Sequence, residues 1–322
     1  MMKKLRQAYS RLSKISSPAD LWSFVVRALY KASNKVFKST RLEAYDLKLT
    51  GNFGKRMMDK YCKGSYYDFN GIYLPCPDED DYGNIYALCI TVNDTLGIYL
   101  YHDDDYSRCI VDKFDKTANE GSYFYKNEEK GIDITIHDGD VVFDLGAWIG
   151  EFSAYACAKG AIVYAFEPSK DNFKMLEKTV ELNKHHKGRI HIIPYGVGAR
   201  KGNVAFQENE KHMYASKFVT INSDLDAECE SDDLNVKIVN LDDFVLEYGI
   251  KVDFIKADIE GFERYMLQGA NNVLKTHQPT LSICTYHLPD DPELLKCLIL
   301  SANPNYKIIQ RGMKLFAYVD CR

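Results

Sequence analysis

From about Gly131 to the carboxyl end, short β-branched and aromatic runs alternate with stretches whose apolar positions recur at helical spacing. Ile132 to Ile136 reads as a lead-in strand, and Val141 to Leu145 as a buried strand stopped by a glycine turn. Helices are predicted over 151–159, 169–184, 241–248, 260–269 and 292–301. Further strands are predicted over 161–166, 189–193, 251–258 and 280–286, with shorter ones at 203–206 and 236–240. Residues 306–310 and 315–319, split by Arg311-Gly-Met-Lys314, read as a terminal hairpin. Strict alternation of strand and helix predicts an α/β fold, a mostly parallel sheet ending in an antiparallel carboxyl-terminal hairpin.

The amino-terminal part lacks this regularity. An amphipathic helix is predicted at 20–33, a short helical or mixed segment at 41–49, and turns and irregular surface from Gly51 to Tyr82. Ile85 to Val92 and Leu96 to Tyr101 have strand-like content around Asn93-Asp-Thr95, and 106–126 reads as a covering helix. Residues 207–235 form a polar loop with Asp224, Asp226, Glu228, Glu230, Asp232 and Asp233; a solvated acidic loop outweighs a cation site there. The division expected is an accessory region, 1–130, covering the pocket of a catalytic domain, 131–322.

Composition narrows the function classes only a little. The 322 residues are 46% apolar and 27% charged, an ordinary globular balance, and a net charge of −5 provides no general attraction to nucleic acid. Lys3, Lys4, Arg6, Arg11 and Lys14 make the amino end locally basic, which suits an anionic surface. The apolar run 21–30 is broken by Arg27 and is too short to span a bilayer. The chain is therefore expected in the cytoplasm, with peripheral membrane association through the basic end as an option. Nine cysteines without a CxxC pair favour reduced structural thiols, and no metal is expected.

Chemistry concentrates at the strand ends. In Val141-Val-Phe-Asp-Leu-Gly-Ala-Trp-Ile-Gly150, Gly146, Ala147 and Gly150 form a tight turn into a helix, a cradle for a nucleotide-like ligand whose spacing is not GxGxxG. Asp144 either organises that turn and attracts a ligand amino group or is an internally paired carboxylate. Glu167, before Pro168, either accepts hydrogen bonds from ribose hydroxyls or caps the next helix. Lys256, Asp258 and Glu260 alternate around a strand exit, where they converge on a site or form a charge-paired cap. His287 follows another strand end; with an unperturbed pKa near ~6.5 it suits a general base.

In order, Asp144-Leu-Gly-Ala-Trp-Ile-Gly-Glu-Phe-Ser153, Phe166-Glu-Pro168, Asn240-Leu-Asp-Asp-Phe244, 252–263 and Leu281-Ser-Ile-Cys-Thr-Tyr-His287 resemble the FkbM family of methyltransferases. The resemblance covers about Gly131 to Val319. It implies a Rossmann-like class I fold and S-adenosyl-L-methionine as methyl donor, held by the glycine turn and Glu167. Lys256, Asp258, Glu260 and His287 would border the reaction pocket. It also implies O-methylation of a carbohydrate, glycolipid or other small-metabolite hydroxyl. Tyr195-Gly196 lacks the acidic residue often near adenine in related folds. The alternatives left open are a nicotinamide-dependent oxidoreductase, from the same kind of βαβ cradle, and a noncatalytic adaptor acting through the basic amino end.

Overall fold

The computed structural model describes residues 58–77, 82–96, 122–207, 217–218 and 235–320. The helices expected at 20–33 and 41–49, the basic end and most of the acidic loop lie outside these residues. Tyr66–Phe69 (β1) and Ile72–Pro75 (β2) pair as an antiparallel hairpin. Irregular surface was expected there, yet Asn70 and Gly71 both have positive φ, the turn that suits right-twisted strands.

A larger correction concerns Tyr82–Leu96, one helix (α1) where the first of two strands was expected, over Ile85 to Val92. Its β-branched residues suggest a strand, but the buried side chains of Ile85, Leu88, Val92 and Thr95 fall at spacings of three and four, the period of a helix. Residues 97–101 lie outside the described part. Of the helix expected at 106–126, residues 106–121 lie outside it, and Tyr125–Asn127 (β3) instead pairs with Ile132–Ile134 (β4).

The catalytic half follows the predicted alternation: Val141–Leu145 (β5), Glu151–Ala158 (α2), Ile162–Phe166 (β6), Lys170–Asn183 (α3) and Arg189–Ile193 (β7). Ser169 caps α3 by accepting from the Asn172 N–H. Gly196–Val197 (β8), Gly202–Gln207 (β9), Lys217–Phe218 (β10) and Asn235–Val239 (β11) form a separate small sheet. Then come Leu241–Tyr248 (α4), capped by Asn240, and Phe254–Ala257 (β12). The helix expected to begin at Glu260 starts at Glu263 (α5, Glu263–Gln268), and Asn271–Thr276 (α6) is an unforeseen second helix. Thr280–Cys284 (β13), Asp291–Ala302 (α7), Lys307–Arg311 (β14) and Lys314–Tyr318 (β15) complete the order.

The main sheet runs β14-β15-β13-β12-β5-β6-β7. β13, β12, β5, β6 and β7 are parallel, and β14 and β15 are antiparallel, the α/β architecture expected. Phe143, Leu145, Ile255 and Ala257 face one buried layer with α4 to α7, while Val142, Phe254 and Val163 face the other with α2. The strand order reverses between β5 and β12, the position at which open α/β sheets form a ligand-binding crevice outside the carboxyl ends of the strands. Among the described residues no helix is long and apolar enough to cross a membrane.

Candidate active site

β5 and β12 are in register, with Asp144 opposite Lys256. Neighbours in a parallel sheet point to the same face, so the two side chains meet in the interior beside α2. Lys256 Nζ lies 3.0 Å from Asp144 Oδ1, with both side chains almost fully buried. It also donates to the Gly146 carbonyl at 2.7 Å, and Ser153 Oγ donates to Asp144 Oδ2 at 2.6 Å. Burial opposes the lysine charge, yet Asp144, then Asp258 and Glu151, hold its pKa above the ordinary value. Of the two roles left open for Asp144, internal pairing is the one observed.

The glycine turn is fixed by its surroundings. Gly146 has φ +74°, and a Cβ there would lie 2.0 Å from the Asp258 carbonyl oxygen, so only glycine lets the β5 and β12 exits approach this closely. The Gly146 and Ala147 N–H groups donate to the Phe166 carbonyl at 3.0 and 2.9 Å. Glu167 accepts from the Trp148 N–H at 2.8 Å, from the Ser169 N–H at 2.9 Å and from Asn172 Nδ2 at 3.3 Å. Glu167 thus braces the turn and the start of α3 together, and burial raises its pKa to about 7 against those hydrogen bonds.

Sequence reasoning missed Glu151, whose position just after Gly150 in the first turn of α2 was the available signal. It is buried, Oε2 has no hydrogen-bond partner among the described residues, and burial raises its pKa to about 8, opposed by Lys256. Because the folded pKa exceeds the ordinary 4.5, its stability contribution is complete below pH 4.5 and is lost as pH rises to about 8. Glu151→Gln, which keeps the neutral shape, is expected to flatten the fall in stability between those limits. Urea unfolding at successive pH values measures this, and parallel slopes for the two proteins would refute it.

At the other lip of the crevice, β12 ends at Ala257, so Asp258 and Glu260 project from a turn and not by strand alternation. Glu260 takes φ +55°, unusual for a residue with a side chain. Tyr123 donates to Asp258 Oδ2 at 2.7 Å and Tyr286 to Oδ1 at 2.8 Å. Burial would raise the Asp258 pKa, but Lys314, His287 and Lys256 hold it well below the usual carboxylate range. Lys314, itself buried, lies 3.5 Å from Asp94 of α1 and 3.1 Å from Cys284 Sγ.

His287 joins this group with 7% side-chain exposure. Its Nδ1 lies 3.0 Å from Glu263 Oε1, and its Nε2 lies 3.4 Å from Asp258 Oδ1 and 3.8 Å from Glu260 Oε2. Burial would lower its pKa, but Glu263, Asp258 and Glu260 outweigh it and raise the value to about 9. The neutral imidazole expected near pH 7 is therefore the minor form. The structure brings Asp258, Glu260 and His287 together, with Lys256 behind them on the donor side. Sequence reasoning also missed Glu263, which starts α5, and Asp94, Tyr123 and Lys314; the latter three meet the site through long-range packing that no local pattern announces.

Residues 137–307 match the family model for the methyltransferase FkbM domain, just over half of the chain. The hexuronic acid methyltransferase AglP of Haloferax volcanii is 26% identical over 172 residues, covering 53% of this chain and 66% of AglP. A tRNA (guanine(37)-N(1))-methyltransferase of Pediculus humanus subsp. corporis is 42% identical over 55 residues, 17% of this chain and 12% of that enzyme. The chain thus spans less than two thirds of either curated relative. The crystal structure of methyltransferase FkbM from Methylobacillus flagellatus superimposes with TM-score 0.47 and 19% identity, covering 85% of this chain and 60% of that one.

Proposed function

We propose, because this chain belongs to the FkbM family of S-adenosylmethionine-dependent methyltransferases, that it methylates a hydroxyl oxygen of a carbohydrate, glycolipid or similar small metabolite. The observation that carries this reading is the adjacency of the glycine turn at the strand-order reversal to the Asp258, Glu260 and His287 group. Family membership sets aside the oxidoreductase and adaptor alternatives.

The donor side fits S-adenosylmethionine. Beside the Gly146 turn, the buried acceptor Glu151 Oε2 and the buried donor Trp148 Nε1 have no hydrogen-bond partner among the described residues, two polar atoms that a bound ligand would satisfy. Gly146, Ala147, Gly150, Glu167 and Glu151 would hold it, with Asp144 supporting the turn through Lys256. Bound there, S-adenosylmethionine supplies a methyl carbon made electrophilic by its sulfonium. With the donor and acceptor oxygen held in line, the proton of the acceptor hydroxyl would leave to the group formed by Asp258, Glu260 and His287. The region before Gly131 would shape the acceptor pocket, since Asp94 and Tyr123 reach Lys314 and Asp258.

The likeness to a hexuronic acid methyltransferase supports a sugar acceptor. A neutral hydroxyl is favoured over a free carboxylate because three carboxylates surround His287 and repel an anionic acceptor. The test is S-adenosylhomocysteine release with pools of hexoses, hexuronic acids and glycolipids, followed by alkaline treatment of the product. A methyl ether survives that treatment; a product cleaved as an ester, or no release with any hydroxyl acceptor, would overturn the reading.

Glu167→Ala removes the brace on Trp148 and the proposed ribose contact together. Loss of such hydrogen bonds costs about 1–3 kcal/mol, an expected 5- to 150-fold weaker donor affinity. Calorimetric titration of the folded variant with S-adenosylmethionine measures it, and unchanged affinity removes Glu167 from the donor site.

A further inference from the structure

One carboxylate buried beside His287 has an oxygen that the fold does not use. Glu263 is fully buried; its Oε1 accepts from the Ile259 N–H at 2.8 Å, while Oε2 has no hydrogen-bond partner among the described residues. His287 is nine-tenths buried and Nδ1 is only 3.0 Å from Glu263 Oε1, yet among the described residues neither ring nitrogen has a hydrogen-bond partner of good geometry. One ligand atom each from Asp258, Glu263 and His287 lie within 4.8 Å of one another.

The charges agree. Asp258, Glu260 and Glu263 bring three negative charges around one imidazole, and a proton on His287 offsets only one of them. The neighbouring cations are shared with other carboxylates, Lys256 with Asp144 at 3.0 Å and Lys314 with Asp94 at 3.5 Å, so they offset the charge of Asp258 only in part. Buried carboxylates persist when they are paired or bound to a metal. The outer contacts are also those of ligands held in place: Tyr123 and Tyr286 orient the Asp258 carboxylate, and the Ile259 N–H orients that of Glu263.

We infer that Asp258, Glu263 and His287 bind a divalent transition-metal cation at the acceptor end of the crevice. One imidazole nitrogen with two carboxylates suits manganese, iron, cobalt or zinc better than magnesium or calcium, which favour all-oxygen sites. The metal-free site expected from the sequence is thereby revised. The role of the cation rests on the methyl-transfer reading. It would bind the acceptor hydroxyl and lower its pKa, leaving Glu260, 37% exposed and 3.8 Å from His287 Nε2, to take the proton.

The test uses the full chain, stripped with a chelator and titrated with manganese chloride, with neither donor nor acceptor present. Calorimetry and loss of the free-ion electron paramagnetic resonance signal are expected to show one site per chain, with zinc competing for it. Glu263→Gln and His287→Ala, each checked for folding by circular dichroism, are expected to bind at least about 100-fold more weakly, since each removes a ligand that the remaining two cannot replace. If Glu263→Gln does not fold, His287→Ala and a manganese-dependent rise in the melting temperature of the unaltered protein carry the test. No binding of manganese or zinc by the unaltered chain at millimolar metal, or equal binding by the folded variants, would overturn the site. Metal bound at this site without S-adenosylhomocysteine release would support it and fall instead on the proposed function.

Discussion

Replacing His287 with alanine is expected to slow methyl transfer by about 10²–10⁴-fold, the range contributed by a positioned group that manages a proton in the transition state. His287 has Asp258 and Glu260 on one ring nitrogen and Glu263 on the other, so its loss dismantles the group proposed to receive the hydroxyl proton, whether directly or through a bound cation. The proposed donor cradle is built from other residues. S-adenosylmethionine affinity is therefore expected to change less than about threefold, so that the loss falls on the chemical step. Single-turnover methyl transfer, measured with donor binding and a thermal melt, separates these outcomes. An unchanged chemical rate and pH dependence in a folded variant would remove His287 from the reaction and pass its role to Asp258 or Glu260.

Lys256→Met is expected to lower folding stability by about 3–5 kcal/mol, because it deletes one member of a buried ion pair and leaves the other uncompensated. Asp144 would keep only Ser153 Oγ among its observed partners, and the Gly146 carbonyl would lose the ammonium that holds the turn. Adding Asp144→Leu removes the stranded charge as well. The double variant is expected to recover most of the loss while binding donor poorly, since the turn remains unheld. Denaturant unfolding of the single and double variants measures the coupling. A loss below about 1 kcal/mol in the single variant, or a double variant no more stable than the single, would show that the pair does not brace the site.

Both outcomes depend on which segments meet, and the sequence shows that unevenly. Val141 to Leu145, the following glycine turn and the alternation up to β15 were legible because strand period, helix period and turn chemistry are local properties. Tyr82–Leu96 was misread because β-branched side chains favour strands in isolation, whereas burial of one stripe in the folded chain selects the helix.

The candidate residues follow the same division. The sequence by itself determined the α/β order, the cradle at Gly146 to Gly150, and the presence of Lys256, Asp258, Glu260 and His287 at strand exits. Only the tertiary structure decided their partners. The register of β5 against β12 pairs Asp144 with Lys256, and packing from α1 and β15 brings Asp94 and Lys314 to the site, beside Tyr123 on Asp258. It also decided charge: an isolated histidine is mostly neutral near pH 7, but three carboxylates from the turn after β12 and the start of α5 raise His287 to about 9. The physical reason is that backbone preference acts over a few residues, whereas Coulomb interaction and desolvation depend on distances in space that only the folded chain sets.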